Sequence, residues 1–513
     1  MIRSILLICF ITTQVFFGQD TELLTNTEKY WTAPIVEKPE YMETIVDSIF
    51  GTKIIRIVGN PGDTLPNPNS DPSLIGAVWP ADQLRHGYSK RQPWNSDESM
   101  IYLDRISFGS AKKLWLDGET YEPLFIRKKP ASRLRWSNTE PHIMYFINNE
   151  QVGRWDVVED TTHPVVTFQG YSSCSFGEGE GNFTNDGKKV AVYAKRNSDS
   201  HRVIFIVDIE NINKGNDIDV SDANKINNCT ISPLGNYIVA IGDYGNGSDR
   251  VRVYDAVSGS IIWTEDAYGR PSHMDTQIDQ NGDEVIVGID KSNKGKIIKR
   301  RLADGEITLL AGGYASHASG RALKRLGWTI VTYQNRTSIS SSYTYFNELV
   351  AVKLDGTRNE RICHIHSNRF TYVAEAHGVP APNGLRVMFA SDWDTGDYPI
   401  QAYVVDFRDK VITNIKGEEN IPEEYSIANY PNPFNPSTNI VFTLPKPGEV
   451  SVTVYDILGR QISEIVNKFY KAGTHKVKWF AQGSNGNQLS SGIYIVRIEA
   501  GNFSKSIKLM LLR

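Results

Sequence analysis

Four of the ten histidines in this 513-residue chain, His86, His273, His317 and His377, stand at one phase of a repeat, about seven to ten residues before a tight turn. Trp136, Glu178 and Asn228 occupy the corresponding place in the intervening repeats. Imidazoles that converge can bind a metal ion or move protons near neutral pH. Any one of them alone could simply bond to a neighbouring repeat's backbone. His273, His317 and His377, on three consecutive repeats, point instead to a shared site, and Glu375 adds a carboxylate two residues before His377. The run Arg361 to Ser367 offers further donors in Cys363, His364 and His366. Strand alternation puts Cys363 on one face and the two histidines on the other, so only one set can face a cavity. Cys363 with His317 and His377 would suit zinc, whereas the histidines with Glu375 would suit manganese, iron or zinc. Arg321, four residues after His317, or Arg91, after His86, could grip a carboxylate bidentately. Asp275 could orient His273 or bond to the next repeat.

The repeat must position these groups. Turn signals recur at Ser96-Asp97-Glu98, Thr139-Glu140-Pro141, Asp186-Gly187, Leu234-Gly235-Asn236, Asn281-Gly282, Leu326-Gly327-Trp328 and Pro382-Asn383-Gly384, roughly 42 to 57 residues apart. A second marker, an apolar run ending in aspartate, follows most of them: Val207-Asp208, Val253-Tyr254-Asp255, Ala303-Asp304 and Val405-Asp406, with Leu354-Asp355 arriving later. Two markers in phase imply a seven-bladed β-propeller over residues 44–412, with equivalent inner-strand positions ringing a channel. Lys53 to Val58 is expected to complete the last blade and close the ring.

The composition agrees with an all-β chain. It carries 41 glycines, 24 tyrosines and 10 tryptophans, with few helical periodicities. A net charge of −4 without a Lys/Arg block recommends neither nucleic acid nor an anionic membrane as partner. Residues 1–18 read as an export signal, too short to span a bilayer, and 19–43 as a polar lead-in. No later stretch reads as a membrane helix. Removing Cys9 with the signal leaves Cys174, Cys229 and Cys363, an odd count in which Cys174 and Cys229 could pair. Gly177 to Gly181 lacks the following Lys-Ser/Thr of a phosphate loop.

His273, His317, Glu375-Ala376-His377, Ala381 to Gly384 and Val387 to Asp392 together resemble the propeller-type polysaccharide lyases, oligogalacturonate lyase most of all. The resemblance implies a divalent metal, zinc or manganese, on His317 and His377, and His273 as the base in β-elimination at a uronic acid. Glu375 replaces the first histidine of the family's pair, and Tyr372 stands where an amide ligand is expected. Arg321 and His86 complete the candidate catalytic set, and Cys363 the candidate metal set. The alternative is a propeller without catalysis that binds glycans or proteins at its mouth.

Beyond residue 412 the chain changes character. Residues 413–426 are charged and Pro-interrupted, a linker. Residues 427–513 read as short alternating strands, a small immunoglobulin-like β-sandwich. Tyr430 to Pro436, Val454 to Arg460, Ala472 to His475, Ser491 to Tyr494 and Lys508 to Arg513 closely resemble the type A C-terminal sorting domain of the type IX secretion system. That resemblance implies recognition by the secretion machinery and a secreted or outer-membrane surface location, where an acidic polysaccharide would be met.

Overall fold

In the computed structural model of the chain, the structure describes residues 22–25, 31–81, 83–109, 111–131, 133–177, 180–245, 247–265, 267, 269–334, 344–367, 374–396, 399–415, 425–430, 432–470, 473–483, 487–501 and 503–512. Two compact units divide at Val411/Ile412. The signal at residues 1–18, most of the linker, Glu178 and Tyr372 lie outside the described residues.

The first unit is built of seven consecutive antiparallel sheets among the described residues. The first holds Met100–Leu103, Lys112–Asp117 and Pro123–Lys128, and its inner segment is the irregular run from Leu84 to Trp94. The next five begin on inner strands Leu134–Trp136, Tyr171–Phe176, Lys225–Ile231, Ser272–Ile278 and His317–Ser319. The seventh starts on Val379–Pro380, continues through Arg386–Ser391 and Gln401–Asp406, and is completed by Lys53–Arg56 and Thr44–Val46 from the N-terminal side. The strand expected to finish the last sheet does so, pairing Ile54 with Val405 and Arg56 with Tyr403.

Alternation along these strands buries one side chain set against the preceding sheet and the other against the following one. Among the described residues six hydrophobic clusters result between sheets that are neighbours in sequence. Tyr102 and Trp115 meet Met144 and Trp155 between the first and second sheets. Leu349 and Ile362 meet Phe389 and Tyr403 between the sixth and seventh. A further cluster joins the seventh to the first, where Met388 and Val404 pack on Ile101 and Leu114. Charged groups reinforce this last junction. Buried Arg386 donates to Glu98 at 2.9 Å, to the Gly118 carbonyl at 2.6 Å and to Glu119 at 3.1 Å. The arrangement is propeller-like.

The aspartate marker has a local cause. Asp117, Asp156, Asp208, Asp255, Asp304, Asp355 and Asp406 each accept a backbone N–H two residues on, at 2.9 to 3.1 Å, fixing the turn into the next strand or segment. Gly177 is required by close approach, since a Cβ there would lie 1.6 Å from the Cys229 carbonyl oxygen. Its φ of 50° also lies in the left-handed region.

Arg408–Ile415 forms a short helix where the sequence suggested the end of the propeller and a linker. The second unit contains two antiparallel sheets, one of Ser426–Tyr430, Thr438–Leu444 and Gly473–Trp479, the other of Gln461–Tyr470, Gly448–Tyr455, Gly492–Ala500 and Phe503–Leu511. Ile440 and Phe442 from one pack with Val452, Val454, Val496 and Ile498 from the other. No described helix is long and apolar enough to cross a membrane.

Candidate metal centre

Histidines 273, 317 and 377 do come together. The ring centroids of His273 and His317 lie 4.7 Å apart, and those of His317 and His377 4.3 Å apart. Glu375 Oε2 stands 3.5 Å from Nε2 of both His317 and His377. The three ligand atoms all lie within 4.8 Å of one another.

Each side chain is held by the fold around it. His317 opens the inner strand of the sixth sheet, opposite Thr332. Glu375 and His377 lie in the segment entering the seventh sheet, which is fastened to the sixth on both sides. Gln334 donates to the Ala374 carbonyl at 3.0 Å and accepts from the Ala376 N–H at 2.6 Å, while Thr332 Oγ1 accepts from the Gly378 N–H at 2.9 Å. Gly378 must be small, since a Cβ would lie 2.6 Å from Leu349 Cδ2. His273 sits in an irregularity of register between Ser272 and Asp275. His273 and His377 have φ of 45° and 47°, conformations that a non-glycine residue holds only when its surroundings impose them and that cluster at functional sites.

Burial keeps these imidazoles neutral. It pushes His273 down to about 4 and holds His317 and His377 well below the ordinary range, with neighbouring positive groups adding to the effect. A neutral ring offers one lone pair. The donor set therefore comprises two neutral imidazoles and a carboxylate. For metal–ligand bonds of about 2.0–2.1 Å, a tetrahedral edge is about 3.4 Å. The two 3.5 Å separations match it, so the residues present fit a small divalent ion.

A tyrosine that sequence reading passed over completes the cluster. The Tyr88 hydroxyl is 3.2 Å from His273 Nδ1, and its ring stands 5.3 Å from that of His317 and 4.7 Å from that of His377. His273 Nδ1 also lies 3.0 Å from His317 Nε2. Nearby, Lys90 and Glu180 form an ion pair at 2.6 Å. Tyr88 and Lys90 lie on the irregular inner segment of the first sheet, which carries no strand periodicity, so only its nearness to His86 could have drawn attention to them.

Other candidates have different places. His86 is fully buried, pushed down to about 3 by burial, and its Nε2 donates to the His377 carbonyl at 2.7 Å; it is a support behind the cluster. Arg321 is taken by Asp275 in a bidentate pair, Nε to Oδ2 at 2.8 Å and Nη2 to Oδ1 at 2.9 Å, both side chains buried. Asp275 thus bonds to the next sheet and does not orient His273. Arg91 pairs with Asp104 at 2.5 Å. Cys363 is not with the histidines: its strand turns it into the apolar cluster between the sixth and seventh sheets, where burial raises the thiol well above its usual value. His364 faces Asp47 at 2.9 Å, and His366 stacks on Trp393 at 4.5 Å. The expected Cys174–Cys229 pair does not form, and Cys363 makes no disulfide either: Cys174 lies against Asn149, while Cys229 is sealed in a separate core cluster.

Comparison with known proteins separates the two units. Residues 428–512 match the secretion system C-terminal sorting domain family, so the tail is the type IX sorting domain that its motifs resemble, and it marks the chain for export to the cell surface or beyond. No curated protein sequence matches the chain. Among solved structures, oligogalacturonate lyase from Vibrio parahaemolyticus is similar at 13% identity, covering 71% of this chain and 96% of its own, with a TM-score of 0.48. PorZ, a surface component of the type IX secretion system of Porphyromonas gingivalis, matches at 13% identity over 88% of this chain and 61% of its own, with a TM-score of 0.36. TolB from Acinetobacter baumannii matches at 16% identity over 53% and 64%, with a TM-score of 0.32. These likenesses are weak and bear on neither activity nor substrate. The chain is an exported, β-propeller-like protein.

Proposed function

We propose that the first unit is a closed seven-bladed propeller, followed by an immunoglobulin-like sorting sandwich, and that it is a metal-assisted lyase acting on uronic-acid-containing glycans. The observation that carries this reading is the meeting of His317, Glu375 and His377 beside a neutral His273, four groups drawn from three successive repeats. His317, Glu375 and His377 would hold a divalent ion, zinc or manganese. Bound there, the ion would supply positive charge against the uronate carboxylate and so favour loss of the adjacent proton.

The chain's own residues do the rest. Assigning the His273 proton to Nδ1 lets that nitrogen donate to the Tyr88 oxygen, 3.2 Å away, and leaves Nε2 with a lone pair. His273 takes the C5 proton of the uronate; the C5–H electron pair becomes the C4=C5 double bond, and the C4–O bond breaks with its electrons leaving on oxygen. A proton returned to that oxygen, from the imidazolium or from solvent, completes the elimination.

A second reading, a non-catalytic propeller that binds glycans or proteins, is favoured by one feature. Arg321, suggested as the carboxylate grip, is already neutralised by Asp275. Incubating the exported protein with pectic and algal uronates, with zinc or manganese present, and following ultraviolet absorbance of the unsaturated product separates the two. Product that disappears in His273→Ala supports the lyase. No product on any of these substrates leaves the binding protein.

A further inference from the structure

A cavity of about 210 Å³ lies farther along the inner segments that carry the histidines. Its lining includes Leu323, six residues past His317, and Pro382, five past His377, together with side chains from the first, second and third sheets. It therefore draws on five of the seven sheets and shares no residue with the histidine cluster.

We infer that this cavity is a separate binding site for a neutral, hydroxyl-rich ring such as a single sugar residue. Its chemistry is amide, hydroxyl and indole. Asn138 uses its Nδ2 on the Thr184 carbonyl at 2.8 Å, which leaves its carbonyl oxygen available to the cavity. Among the described residues the Asn185 side-chain amide and the Ser96 hydroxyl make no hydrogen bond inside the protein, while the Asn185 backbone N–H is bonded to the Pro233 carbonyl. An amide presents donors and an acceptor on one rigid plane, which suits neighbouring hydroxyls that must each both give and take a hydrogen bond. Trp94 and Trp136 supply apolar wall, their indole N–H groups already bonded to the carbonyls of Gly118 and Pro93. Among the described residues no carboxylate lines the space, and the one charged side chain there, Lys324, donates to the Ser96 carbonyl at 2.7 Å. Neither sign of charge is demanded of a ligand. The site is independent of the metal centre.

The test is saturation-transfer NMR on the full exported protein with galactose, xylose and N-acetylglucosamine, and galacturonate as the charged comparison. Transfer to at least one neutral sugar is expected. Asn185→Ala, which breaks no internal hydrogen bond, should weaken it about three- to tenfold, the worth of one neutral hydrogen bond. Asn185→Leu, which fills the space, should abolish it, whereas His317→Ala with His377→Ala should leave it unchanged. Circular dichroism of each variant reports folding. No transfer to any neutral sugar, transfer to galacturonate only, or transfer that survives Asn185→Leu in a folded protein would overturn the assignment and leave a cavity that holds water alone.

Discussion

Replacing Arg321 by methionine distinguishes a structural guanidinium from a substrate-gripping one. Arg321 and Asp275 are 5% and 2% exposed, and Asp275 accepts two hydrogen bonds from the guanidinium and a third from the Gly320 N–H at 2.9 Å. Removing only the arginine strands a buried carboxylate, a loss of about 3–5 kcal/mol. At 1.4 kcal/mol per factor of ten, the unfolding equilibrium should move roughly 10²- to 10³-fold or more. Asp275→Leu alone should cost a similar amount, because it strands the guanidinium. The double variant, Arg321→Met with Asp275→Leu, should recover most of the loss, since an apolar pair of similar volume asks for no partner. Urea unfolding followed by tryptophan fluorescence measures all three, with the transition of the propeller-like unit treated separately from that of the tail. Metal content should not change in any of them. An Arg321→Met protein with an unshifted transition and impaired uronate binding would contradict a structural Arg321–Asp275 pair and return Arg321 to the substrate.

Other perturbations test the remaining joints. Arg386→Ala, which cuts the contacts between the first and seventh sheets, should destabilise the unit by about 3–5 kcal/mol in thermal or urea unfolding, and a loss under 1 kcal/mol would contradict a buried clasp there. Burial, with the Asp47 charge adding to it, raises Glu348 to about 8 although Arg361 Nη1 lies 3.0 Å from its Oε1. The folded state then holds more protons than the unfolded one between the ordinary glutamate range and about pH 8, so stability should fall as pH rises through that window. Glu348→Gln should flatten the slope, and an unchanged slope would assign it to other groups. Cys363→Ala should leave metal stoichiometry intact while costing about 1 kcal/mol of stability, since the thiol serves the core. Deleting residues 428–513 should remove the protein from the cell-surface and extracellular fractions on immunoblotting, and unchanged export would contradict the sorting role of the tail.

The repeat was legible because each sheet solves the same local problem. An aspartate must cap the turn after the third blade position, and the capped turn leaves a trace in sequence whatever the blade's other residues are. Asp117 and Asp156 perform this task too, although their surroundings did not draw notice as markers. The phase of His273, His317 and His377 was legible for the same reason, since equal distance from a turn means equal height on an inner strand. What the sequence hid lies between repeats. The bond from His86 to the His377 carbonyl joins residues 291 apart, and that from Tyr88 to His273 joins residues 185 apart. No periodicity records which neighbour an inner side chain meets. Arg321 and Asp275 each looked available beside a histidine and were in fact partners across adjacent sheets. Cys363 and His364 illustrate the limit of alternation, which separates two faces without saying that both are core: one faces an apolar cluster and the other Asp47.

Elemental analysis of the exported protein, after incubation with zinc or manganese and gel filtration, decides whether His317, Glu375 and His377 hold a metal ion. One ion per chain is expected, lost when His317 and His377 are both replaced by alanine in a protein that still folds. No bound metal, or the same content in the doubly substituted protein, would contradict a metal site there.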